Sequence, residues 1–94
     1  MELSKEELVQ IEKGKIVIVR PKDVNVEKGA EVKAGSEIVL VLDIREYPRV
    51  EDLFKLEQMD WIATDAADLV EAVKETKERY PEAEGFFAIE LAKQ

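Results

Sequence analysis

The spacing of apolar and polar positions changes period several times along the chain, and each change marks an element. Leu8 and Ile11 lie about one helical turn apart behind Ser4 and Glu7, a Ser-x-x-Glu capping box, with Leu3 able to staple onto Leu8. Gly14 supplies the stop. Residues 15–21 are β-branched up to Pro21 and predict a buried strand. Val24, Val26 and Val32 suggest an extended segment with a turn at Lys28-Gly29, and Ala34-Gly35-Ser36 predicts a hairpin into the long apolar run 37–44. That run reads as the centre of a sheet.

After Pro48 the period becomes helical. Val50, Leu53, Phe54 and Met59 predict a short helix, and Asp68 with Glu71 repeats the capping logic before Leu69, Val73, Thr76 and Tyr80, which share one face. Phe87, Ile89 and Leu91 then alternate, as a closing strand does. Strands crowded into the first half and returning at the end predict an α+β fold rather than repeating βαβ units. A small mixed or antiparallel β-barrel with about three helices fits this order, and five or six strands would close it and remove the sheet edges.

Composition narrows the chemistry. The 94 residues contain no Cys and no His, which removes disulfides, thiolate and imidazole metal ligands, and a histidine base. One domain spanning residues 1–94 is expected, with no membrane span and a cytoplasmic location, since no apolar run is long enough to cross a bilayer and the first residues are too acidic for a secretory signal. The abundance of Glu and Lys, with Asn25 the only Asn, resembles heat-adapted composition. Net charge is −8 and uneven: residues 1–50 carry nine Lys/Arg against ten Asp/Glu, residues 51–94 five against twelve. An acidic chain is poorly suited to gripping a nucleic-acid backbone non-specifically, which leaves local recognition of a base or small ligand. Asp60, Asp65 and Asp68 lack calcium-loop spacing, so no metal site and no cofactor are expected.

Several motifs, taken in order, resemble small archaeal and bacterial ASCH domains, which belong to the PUA-like β-barrels: residues 14–20, 26–32, 41–54 and 78–91, nearly the whole chain. Lys15 and Arg20 keep that family's Lys-to-Arg spacing on the first strand. The resemblance implies a PUA-like barrel with a cleft beside that strand that binds RNA or a nucleotide-like ligand. Some members are amidohydrolases acting on acetylated cytidine, or ribonucleases, in which a Lys works with a Thr three residues later and a carboxylate. Here that Thr position is Ile18, Gly14 directly precedes the Lys where the family leaves one residue between them, and Ala30 replaces the turn's Asp. No catalytic residue is therefore assigned.

The candidate binding residues are Lys13, Lys15, Arg20 and Lys22, a local basic group able to meet phosphates, and Arg45 with Tyr47, near Arg49, a guanidinium and an aromatic face on which a base can stack. The plainer alternatives are charged strand ends balanced by Glu12 and Asp23, and a Tyr half-buried in the core. Lys15 and Arg20 are five residues apart, which on a regular strand puts them on opposite faces. Trp61, between Met59 and Ile62, is expected to pack on the outer wall of the barrel rather than stack on a ligand. The functional expectation is an RNA- or nucleotide-binding module. Its rivals are a hydrolase rebuilt on Lys15 and a carboxylate such as Glu46, and an acidic domain that meets a basic protein.

Overall fold

The computed structural model describes residues 1–93. The first helix, α1 (Lys5–Glu12), carries the expected capping box: Ser4 accepts from the Glu7 amide at 3.1 Å and Glu7 accepts from the Ser4 amide at 2.9 Å. Gly14, at φ +100°, turns the chain out of the helix in a conformation that a side chain would strain. Then follow β1 (Val17–Pro21), β2 (Glu31–Ala34), β3 (Glu37–Tyr47), α2 (Val50–Leu56), a 3-10 turn (Met59–Trp61), α3 (Leu69–Arg79) and β4 (Phe86–Lys93).

The fold is α+β, with three helices and one antiparallel sheet in the order β1-β4-β3-β2 that curls into a half-barrel. Four strands form among the described residues, not five or six. The Val24–Val26 stretch makes no ladder, and its two valines instead pack against the core from a loop. Closure is replaced by cover on one side. The chain at 61–63 runs beside β1, where Ile16 donates to the Trp61 carbonyl at 2.9 Å and Ala63 donates to the Val17 carbonyl at 2.7 Å. No helix among the described residues is long and apolar enough to cross a membrane.

Alternation along the strands separates two cores, one on each face of the sheet. On the first face Val17, Phe86 and Ala88 meet Val50, Leu53 and Phe54 of α2, Ile62, and Ala72 of α3. Ala72 is the buried residue of α3, while Leu69, expected inside, is 43% exposed. On the second face Ile18, Val32, Val39, Val41, Ile89 and Leu91 meet Ile11 of α1. The predicted alternation of Phe87, Ile89 and Leu91 holds, all three belonging to this second core.

One irregularity decides what lies between the sheet and α2. The β3–β4 register slips between Val41 and Asp43, leaving Leu42 as the extra residue of a β-bulge. Before it, Val39 and Val41 face α1. After it Ile44 takes over that role, and Asp43, Arg45 and Tyr47 turn to the α2 side, opposite Glu90, Ala88 and Phe86. An unbroken alternation would drive two charged side chains into the α1 core.

Candidate functional site

Three apolar anchors, Val50, Leu53 and Phe54, pin α2 to the sheet, and the helix ends at Glu57, whose amide donates to the Leu53 carbonyl at 2.9 Å. Glu57 thereby hangs over the bulged half of β3 with its side chain only 7% exposed. Its carboxylate accepts from Nε and Nη2 of Arg45, both at 2.8 Å, in a two-point fork. The remaining Arg45 nitrogen donates to Asp43 Oδ2 at 2.9 Å and to Glu90 Oε1 at 3.0 Å. The Tyr47 hydroxyl donates to the same Glu57 carboxylate. Lys28 reaches Asp43 at 3.1 Å from the loop before β2.

The electrostatics follow from these contacts. Hydrogen bonds from Arg45 hold the Glu57 carboxyl below its ordinary range despite its burial, and Asp43 is held down by Lys28 and then by Arg45. Burial and the neighbouring Glu57 anion both push the Tyr47 phenol up. Arg45 is locked in its charged form by Glu57 above all. Three carboxylates thus surround one guanidinium, with Lys28 the only other cation bonded to them among the described residues. The cluster keeps a surplus of acceptors.

Beside it opens a hollow of about 430 Å³. Arg45, Glu57 and Glu90 form its polar floor, Tyr47 borders it, and Ile16, Leu56 and Trp61 make an apolar wall. Trp61 is 47% exposed and Leu56 67%. The indole is held in place by its Nε1–H, which donates to Gln58 Oε1 at 2.6 Å. The site therefore offers a flat aromatic surface next to carboxylate acceptors. Arg45 has every nitrogen bonded to a carboxylate, so it orients the floor rather than clamping a phosphate.

No family model matches the chain, and no curated protein matches it. Two solved structures share its fold over nearly their whole length. The crystal structure of the hypothetical protein PH0355 superposes with a TM-score of 0.80 at 24% identity, covering 100% of this chain and 96% of the other. The solution structure of protein PF0455 from Pyrococcus furiosus gives a TM-score of 0.78 at 22% identity, with 99% and 94% covered. At such identities the likeness is one of fold.

The structure distributes the sequence-predicted residues among several places. Arg45 and Tyr47 meet in the cluster just described. Lys15 does not line the hollow: it precedes Ile16 of the apolar wall, and its Nζ donates to the carbonyl of Asp60, the residue before Trp61. Arg20 does not join it. It lies on the α1 side of the sheet, where Nη1 and Nη2 donate to Glu7 at 2.5 and 2.6 Å, and further bonds run to the Val19 and Glu2 carbonyls, both at 2.9 Å. With the Arg20 and Glu7 side chains 12% and 7% exposed, this is an internal ion pair. Burial opposes the Arg20 charge, but the bonds to Glu7 outweigh it and the guanidinium pKa is raised. Lys22 pairs with Glu46 at 3.0 Å in the open, and Lys13 caps the end of α1 with its side chain exposed. The basic group thus does not converge on one hollow. Nor do Lys15 and Glu46, the rebuilt hydrolytic pair: Lys15 precedes β1 on one side, while Glu46 lies opposite Phe87 near the other end of the sheet.

Two further readings change. Ile18, at the position of the family's polar residue, is fully buried against the α1 core and faces away from the hollow. Trp61 is half-exposed on the wall of the hollow instead of packed, because Met59 and Ile62 take the inward side of the 3-10 turn. Glu57, Glu90 and Asp43 escaped the sequence reading. Their signal was a charge set inside or beside an apolar run.

Proposed function

We propose that the protein binds a nucleotide-like ligand, a free nucleotide or an unpaired base of RNA, in the hollow between β3 and the α2 end, and that it does so in the cytoplasm. The observation that carries this reading is the half-exposed Trp61 indole fixed on the wall of a hollow whose floor presents carboxylates. A base can stack on the indole while its ring or exocyclic N–H groups donate to Glu57 or Glu90. Lys15, the residue before Ile16 and bonded to the carbonyl that precedes Trp61, is the cation we assign to a phosphate attached to that base. The resemblance to ASCH domains agrees with a base-binding role. The acidity of the chain favours one local contact over a long backbone track.

The test is calorimetric titration of single nucleotides and a short single-stranded RNA at low salt, with parent, Trp61→Ala, Lys15→Ala and Lys22→Ala. Trp61→Ala should weaken binding about tenfold, as loss of one base–aromatic stack does. Lys15→Ala should weaken nucleotides but not nucleosides, and Lys22→Ala should change nothing. Equal binding by the parent and Trp61→Ala, or no binding of any base at millimolar concentration, would sink the reading.

A further inference from the structure

The sheet leaves one edge uncovered. β1 has the chain at 61–63 beside it, but β2 pairs with β3 alone, and its outer backbone groups have no backbone partner among the described residues. Which groups these are follows from the hairpin. Ala34 and Glu37 are paired across the two-residue Gly35-Ser36 turn, and Val41 donates to the Ala30 carbonyl at 2.9 Å, so Val32 and Ala34 direct their N–H and C=O toward β3, as Ala30 does its C=O. The intervening residues, Glu31 and Lys33, therefore present theirs outward.

Their side chains are exposed and form no ion pair among the described residues. A bare edge is commonly guarded by such charges, which repel a second strand. Here the order Glu-Val-Lys reverses its own sign about Val32. Two antiparallel copies of β2 centred on Val32 bring Glu31 of each against Lys33 of the other, and these are the residues whose backbone groups point outward. A parallel pairing or a two-residue slip loses that match.

We propose that two copies of this chain associate through β2, edge to edge about a two-fold axis, joining their half-barrels into one eight-stranded sheet. The interface is isologous, so each residue is used twice. Ile38, opposite Lys33 and 42% exposed, lies one strand in from the joint on the same face as these charges. The nucleotide hollow lies elsewhere, under the end of α2, so this inference stands apart from the proposed function.

Sedimentation velocity from micromolar to millimolar concentration tests it, with folding of each variant checked by circular dichroism. The parent should show a concentration-dependent dimer. Lys33→Glu should weaken it about tenfold or more, since symmetry sets two like-charged pairs face to face. The exchange Glu31→Lys with Lys33→Glu should restore it, because the match survives the swap. Lys33→Pro should abolish it while sparing the hairpin, whose ladder does not use the Lys33 amide. A parent that stays monomeric throughout, or a dimer indifferent to Lys33→Glu and Lys33→Pro, overturns the proposal.

Discussion

Arg20 and Arg45 lie on opposite faces of one sheet, and each grips a carboxylate through a two-point fork, yet they do different work. Arg20 meets a single acid, Glu7, and both side chains are nearly buried under α1, so the pair ties the first helix to the β1 edge and leaves nothing over. Arg45 meets three acids and is itself 32% exposed, beside a hollow with an unsheathed indole. A guanidinium matched one to one holds parts together. One that is outnumbered holds acceptors in position for something else.

The contrast can be broken most forcefully at Glu7. Glu7→Ala strands the buried Arg20 charge and removes half of the capping box, and should cost about 3–5 kcal/mol in urea denaturation. Replacing Arg20 and Glu7 together by Met and Leu should recover most of that loss, because no buried charge then remains. Arg45→Met should cost less, about 2 kcal/mol, since its carboxylate neighbours keep some access to water.

A pH series sharpens the difference. Glu57 has a folded pKa below its unfolded value, so its share of stability is present above the ordinary carboxylate range and is lost as pH falls through the lowered value. The gap in denaturation midpoint between parent and Arg45→Met should therefore narrow from neutral pH toward acid. A gap that stays constant would mean that Arg45 acts by packing alone. Tyr47 has the opposite sign. Its raised folded pKa means stability lost as pH climbs past the ordinary phenol range, and Tyr47→Phe should remove that alkaline slope. The smallest expected effect on stability is at Trp61, where Ala should cost under about 1 kcal/mol because so much of the ring is already in water. The loss there should fall on binding.

Much of the fold was legible in local chemistry. The Ser4 and Asp68 caps, the Gly35 turn and the alternation of Phe87, Ile89 and Leu91 each depend on neighbours in sequence, and each stands where the pattern put it. The site was less legible because it is tertiary. Glu7 advertises a capping role three residues from Ser4, and nothing nearby reveals that its carboxylate also meets Arg20, thirteen residues on. The bulge hid in the run Val39-Leu40-Val41-Leu42, where four apolar residues in succession conceal a change of phase. Asp43 and Arg45 carried the clue, since both continue the odd numbering of the buried Val39 and Val41 and cannot share their environment. Trp61 misled because Met59 and Ile62 do pack inward, while the residue between them does not.

Leu42 is 56% exposed, and exchanging it for serine should be nearly silent. Excising it should be tolerated almost as well. With one residue fewer, Val41 and Asp43 become neighbours opposite Leu91 and Glu90, and plain alternation already sends Asp43 and Arg45 to the α2 side and Ile44 to the α1 side, so the deletion removes only the local bend and added twist of the strand. What the position contributes is a spacer that absorbs one step of phase.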